Sequence, residues 1–182
     1  MPFKPTAAEL AAAVHKTVPD LIAPNLQILF CGINPGLYTA ATGWHFGRPG
    51  NRFWPALYAA GFTPRLLHPS EQSALLKLGM GITNFVKRTS VSAAELTPTE
   101  IREGAEQLRQ TVLKYQPKYL AVLGIGTYRI GFNQPKARLG LQPGTIGQTK
   151  IWVLPNPSGL NAHFTPQKFA EVFKELKNAS NF

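Results

Sequence analysis

The chain has 182 residues, 44% of them hydrophobic and 15% charged, so it is sized for one folded domain that removes roughly 70% of its unfolded surface from water without a disulfide or metal staple. That composition speaks against the disordered and membrane classes, while 16 glycines and 16 prolines imply many shaped loops. Nineteen Lys and Arg against nine Asp and Glu leave a net charge of +10, which makes a polyanion the expected partner; the simpler reading is a solvated basic surface.

The single cysteine, Cys31, rules out an internal disulfide and any iron–sulfur or zinc site built on several thiolates of this chain. No stretch reaches about 18 apolar residues, so no segment reads as a membrane span. Met1-Pro2-Phe3-Lys4-Pro5 lacks the apolar stretch of a secretion signal. The expected location is a reducing cytoplasm, at the nucleoid if the host is a bacterium.

In chain order, Thr6 to about Lys16 reads as a short helix capped by Thr6 with Glu9 three residues on, and residues 1–25 as an N-terminal helical appendage to a domain spanning 26–182. Leu26 to Cys31 is too short for a helix and too apolar for an exposed strand; it reads as a buried strand running into the tight loop Gly32-Ile33-Asn34-Pro35-Gly36. Asn51–Ala60 and Pro69–Leu78 read as helices, the second closing at Gly79. Thr97-Pro98-Thr99-Glu100 is a stronger start signal: a cap, proline at the first helical position and a glutamate at the third. Behind it Ile101, Ala105, Leu108 and Val112 form one apolar stripe, ended by Pro117. Lys118–Leu123 and Lys150–Leu154 read as further strands. The last helix opens at Thr165-Pro166 with Phe169, Val172, Phe173 and Leu176 as its stripe.

Strands alternating with helices and apolar enough to be covered on both faces indicate an α/β fold, a three-layer α/β/α sandwich around a mainly parallel sheet. Ligands in such sheets bind beyond the carboxyl ends of the strands. That gathers three loops on one rim: Gly32–Gly36, Gly124–Thr127 and Pro155–Asn161.

None of the nine carboxylates, Glu9, Asp20, Glu71, Glu95, Glu100, Glu103, Glu106, Glu171 and Glu175, falls in those loops. A two-metal nuclease and a paired-carboxylate hydrolase are thereby disfavoured, since both chemistries require converging carboxylates. There is no GxSxG nucleophile elbow and no GxxxxGK[ST] phosphate loop. Gly124-Ile125-Gly126 lacks the third glycine of a dinucleotide fingerprint. The four histidines, His15, His45, His68 and His163, are too dispersed to propose a metal site, and Cys31 at the end of a buried strand reads as core. No metal or other cofactor is expected.

What remains is a rim of asparagines, small residues and aromatics on a basic protein, groups that suit recognition of a nucleobase edge by uncharged hydrogen bonds. Asn34 is the sharpest candidate; the alternative is an Asn that satisfies its own turn.

Four blocks carry a resemblance: Phe30-Cys31-Gly32-Ile33-Asn34-Pro35-Gly36-Leu37, Gly50-Asn51-Arg52-Phe53-Trp54, Gly81-Ile82-Thr83-Asn84 and Leu154-Pro155-Asn156-Pro157-Ser158-Gly159-Leu160. In order and spacing they resemble the mismatch-specific uracil/thymine-DNA glycosylases of the uracil-DNA glycosylase superfamily, over about Leu26 to Leu176. The resemblance implies a monomeric repair enzyme that flips a mismatched or damaged pyrimidine out of double-stranded DNA and hydrolyses its bond to deoxyribose. It further implies that Asn34 positions the attacking water, that Gly32 and Ile33 hold the base edge, and that Phe46 stacks on the base. Asn84 would hydrogen-bond the base, Asn156 would face it as it leaves, and Ser158 would grip a phosphate. Gly159-Leu160-Asn161 would enter the duplex, with Leu160 filling the gap. The competing readings are a core aromatic for Phe46, a helix-packing contact for Leu160 and a structural role for Arg52.

Two departures bear on the substrate. Asn161-Ala162-His163 follows the wedge leucine where some bacterial relatives carry a basic residue, and Lys87-Arg88 stands where some relatives offer an acidic one. A protein of another class, one that binds lesions or abasic sites with little excision, has the same charge balance, as does a weaker candidate, an RNA-binding α/β domain.

Overall fold

Short apolar runs with no polar alternation cannot lie on a surface, and here they line up as the centre of one sheet. The computed structural model describes residues 3–182; Met1 and Pro2, the start of the N-terminal stretch read above, lie outside the described residues. Among the described residues the sheet has five strands: β1 (Ile28–Gly32), β2 (Met80–Asn84), β3 (Tyr119–Leu123), β4 (Gly140–Ile146) and β5 (Thr149–Leu154), in the spatial order β2-β1-β3-β5-β4. β2, β1, β3 and β5 are mutually parallel, and β4 joins β5 antiparallel at one edge. Every residue of β1, β2 and β3 is buried, as a sheet covered on both faces requires.

One face carries α3 (Phe53–Ala59) and α7 (Pro166–Ala179), whose Phe53, Trp54, Phe169 and Phe173 pack on Phe30 and Ile82. The other carries α5 (Pro98–Tyr115) and α6 (Ile125–Gly131), whose Leu108, Val112 and Tyr128 pack on Leu29 and Leu120. The three-layer α/β sandwich expected from the pattern is the observed fold. α5 begins with the complete capping box expected of Thr97 and Glu100, worth about 1 kcal/mol. The stripe of α7 is buried at Phe169, Phe173 and Leu176, with Val172 half-buried.

Several expectations need correction. β2 and β4 were not expected as strands. β2 contains Gly81, whose missing side chain hid the apolar run; a Cβ there would stand 2.4 Å from the Leu21 carbonyl oxygen, so the glycine is a packing requirement. β4 contains Gln142-Pro143-Gly144, a turn-like triplet that the edge strand absorbs by a register shift between Leu141 and Thr145. The helix expected over Pro69–Leu78 splits into a 3₁₀ turn, Pro69–Glu71, and α4 (Ala74–Lys77). The break falls where the Gln72 side chain reaches away to bond the His45 N–H and the Gly43 carbonyl. The rim loop expected over Gly124–Thr127 is only Gly124, at φ +144°, because α6 starts at once; its interior Gly126 masked the helical signal. α1 (Ala7–Ala12) keeps its capping box but ends before Lys16, and α3 starts at Phe53.

α1 packs on α2 (Leu37–Thr42). Beyond it, Leu21 exchanges two backbone hydrogen bonds with Ile82 of β2 (2.9 and 2.8 Å), and Asp20 takes a salt bridge from Lys87 at 2.8 Å. The parallel strands all end on one rim, at Gly32, Asn84, Leu123 and Leu154.

Candidate active site

Gly32 and Asn84 are register partners at the ends of β1 and β2, so their side-chain positions share one face of the sheet. A Cβ on Gly32 would stand 2.6 Å from Asn84 Oδ1 and 3.3 Å from the Phe46 ring. The bare backbone of Gly32, the Asn84 amide and the Phe46 edge therefore bound one narrow cleft. Asn84 is 6% exposed, and among the described residues its amide has no hydrogen-bond partner, yet it is not sealed from solvent. Such an amide is costly to bury unless something binds it.

Phe46 sits at φ +53°, a conformation that costs a bulky residue about 1–3 kcal/mol. Its neighbours enforce it: the His45 N–H donates to Gln72 Oε1 at 2.8 Å, the Trp54 indole donates to the His45 carbonyl at 3.0 Å, and the His45 ring bonds the Pro19 carbonyl at 2.9 Å. Burial pushes the His45 pKa down, so the ring is neutral, with its Nε2 hydrogen on the Pro19 oxygen. The Phe46 ring rests on Phe53 with centroids 4.2 Å apart. Phe46 is thus a half-buried aromatic with one face packed, intermediate between the two readings the sequence left open.

Asn34 donates its Nδ2 hydrogens to the Arg88 carbonyl (2.9 Å) and to Ser90 Oγ (2.7 Å), and Ser90 passes its own hydrogen to the Ser92 carbonyl. A carbonyl can only accept, so the amide nitrogen must face Arg88 and Oδ1 faces the other way as an acceptor. The loop is pinned to the chain after β2, with Phe85, Val86 and Ser90 N–H groups donating to the carbonyls of Gly32, Ile33 and Pro35. Ser90 escaped the sequence reading, and Arg88 was singled out there for its charge rather than for the carbonyl that holds Asn34. The only signal was indirect: once β2 is the neighbour of β1, the residues after Asn84 must run beside the Asn34 loop.

Ile33 points to the other face. There it lines a cavity of about 320 Å³ together with Gly124, Ile125, Asn156, Asn161 and Phe164. None of the residues lining this cavity is an Asp or Glu.

The loop after β5 is self-supporting. Asn156 Oδ1 accepts from the Ser158 N–H (3.0 Å), Ser158 Oγ from the Leu160 N–H (3.3 Å), and the Asn161 side chain donates back to the Asn156 carbonyl (3.0 Å). Arg52, just before α3, clamps the loop from beneath. Its guanidinium donates to the carbonyls of Ser158 (2.9 Å), Asn161 and Phe164 and lies 4.6 Å from the Phe169 ring centre. Its own N–H donates to Pro157. The structural role read for Arg52 is therefore specific: it shapes the loop that carries Leu160. Gly159 passes so close to Gly50 that a Cβ would meet that carbonyl at 2.8 Å. Leu160, at the tip, is 80% exposed, which excludes the helix-packing reading.

Apart from Arg52, the cations nearest the rim are engaged elsewhere. Lys87 turns away to Asp20 and Thr83, and Arg88 pairs with Glu100. Cys31 is fully buried, and burial pushes its thiol far up, so it is no nucleophile. A sequence model described as the uracil DNA glycosylase superfamily matches residues 19–177. The chain belongs to the uracil-DNA glycosylase superfamily. Its members are DNA glycosylases, hydrolases of DNA repair, so the family implies DNA as the substrate. The match takes in Asp20 and Leu21, the residues that tie the N-terminal segment to β2 and Lys87.

Proposed function

We propose that this glycosylase is monofunctional and metal-independent, and that it flips uracil, and more slowly thymine or other modified pyrimidines, out of G·U and G·T mismatched duplex DNA and hydrolyses the N-glycosidic bond. The observation that carries the reading is the fixed Asn34 amide, whose Oδ1 is held out as an acceptor by bonds from Nδ2 to Arg88 and Ser90. That oxygen accepts a hydrogen bond from the water that attacks the sugar carbon. As the new C–O bond forms, the pair of electrons in the C–N bond leaves with the base, and the water loses its proton to solvent.

Asn34 cannot take that proton itself, so the gain comes from stabilising the departing anion with fixed dipoles rather than from a general base. Asn84 and the Gly32 backbone meet the base edge, Phe46 offers its open face, and Asn156 lies beyond Ile33 on the leaving side. This chemistry favours bases that leave easily or pair badly, because flipping costs less at a mismatch. Leu160 contributes on the other side. Burying one leucine returns about 2 kcal/mol, comparable to the few kcal/mol that unstacking costs.

The test is a duplex with one G·U pair, incubated with excess protein in EDTA and then cleaved with alkali. A nicked strand is expected. An intact strand alongside tight binding to an abasic duplex would assign the chain to lesion binding instead.

A further inference from the structure

A second concavity, about 430 Å³, opens between α5, α6 and the edge strand β4, and shares Leu139 as a wall with the cavity that Asn156 and Asn161 line. Arg109, Lys136 and Arg138 line it, and no Asp or Glu does. Among the described residues none of these three cations forms an ion pair. The loop that presents two of them is preformed: the Arg129 guanidinium donates twice to the Ala137 carbonyl (3.0 and 2.7 Å), and Gln142 Nε2 donates to the carbonyls of Arg138 and Gly140 (2.7 and 2.9 Å). Arg109 is steadied on the Phe132 ring, 4.5 Å from its centre. Cations gathered on a preformed loop without counter-charges gain most from a ligand that supplies regularly spaced negative charge.

We infer that this groove is a docking track for the phosphodiester backbone of duplex DNA flanking the lesion. Continuity with the rim through Leu139 and the unopposed positive charge favour DNA over a free anion or an acidic protein. The inference rests on the glycosylase reading of the rim, but its consequence concerns binding rather than chemistry. Each phosphate contact releases counterions and steepens the salt dependence of affinity.

The experiment compares Lys136→Ala/Arg138→Ala with Lys114→Ala/Lys118→Ala, which removes the same charge at the opposite end of the sheet. Binding to undamaged duplexes is titrated against salt with short and long flanks. On long flanks the groove variant should bind roughly tenfold more weakly, and its slope of log affinity against log salt should be shallower by about 2. On short flanks its affinity and single-turnover excision should match the wild type, and the control variant should keep the wild-type slope. An unchanged slope, the same loss in the control, or a loss that does not depend on flank length overturns the inference. If the wild type excises nothing while the groove variant still shows the flank-dependent loss, the glycosylase reading fails and the groove stands.

Discussion

Two parts of the rim solve opposite problems. The region around Gly32 is half-buried and under-satisfied: among the described residues Asn84 has no side-chain partner, Phe46 is held in a costly backbone conformation, and in the adjoining loop the Asn34 oxygen is left open. The loop from Asn156 to Phe164 is exposed and over-satisfied: Asn156, Ser158 and Asn161 bond one another, and Arg52 takes three of its carbonyls. A group left wanting in a narrow, half-closed place can recognise a ligand by hydrogen bonds, whereas a self-bonded loop keeps its shape when its one apolar tip is pushed against a partner. On the proposed reading the first carries the chemistry and the second chiefly the mechanical work.

Mutations that separate the two should divide rate from flipping. The largest effect is expected for Asn34→Ala, which removes the fixed acceptor: single-turnover excision should drop on the order of 100- to 1000-fold while affinity for an abasic duplex stays within about twofold. A variant with wild-type excision would move the water elsewhere. Gly32→Ala comes next. Its Cβ, 2.6 Å from Asn84 Oδ1 and 3.3 Å from Phe46, fills the space a base edge needs, and a displacement of about 1 Å there costs roughly 100-fold. Equal loss on uracil and thymine would fit steric closure of the cleft. No loss at all would show that the base sits somewhere else.

On the loop side, Arg52→Ala should exceed Leu160→Ala. Without the guanidinium three carbonyls lose their partner together, so the variant should unfold about 2 kcal/mol more easily in urea and excise about 30-fold more slowly. Leu160→Ala should keep full stability and lose about tenfold, more on well-paired lesions than on mismatches, because only insertion suffers. If the two variants were equally stable, Arg52 would not be the clamp.

How far the sequence disclosed these regions follows from how local each signal is. The covered parallel strands, the capped α5 and the stripe of α7 are written in adjacent residues and were legible. β2 and α6 were not, because glycine stands where a periodic apolar residue would have given them away: Gly81 to clear the Leu21 carbonyl, Gly126 in the first turn of α6. Within the site, Asn34 was legible from its glycine-bounded turn, Asn84 and Leu160 were named from the family blocks, and Phe46 from what the resemblance implies. The residues that fix their posture, Ser90, Gln72 and the Arg52 side chain, act across 27 to 112 positions of chain. No window of sequence shows such a contact. Ser90 became visible only when β1 and β2 were found side by side.

The smallest effect tests whether the Asn34 loop depends on charges outside the cleft. Arg88, whose carbonyl holds Asn34, pairs through its side chain with Glu100, and that bond with the Thr97 N–H lowers the Glu100 carboxyl to about 2. A carboxylate whose folded pKa lies below its unfolded value stabilises the fold above about 4.5, and that contribution is lost as the pH falls toward 2. Glu71, lowered to about 2 chiefly by Arg65, has the same sign. Glu100→Gln should therefore be slightly less stable than the wild type at neutral pH and should lose less on acidification between about 4.5 and 2, so the two melting curves converge. Excision at neutral pH should be unchanged, because Asn34 is held by the Arg88 main chain and not by its guanidinium. A drop in excision without a change in the acid limb would mean that the side-chain pair, rather than the backbone, sets the angle of the Asn34 amide.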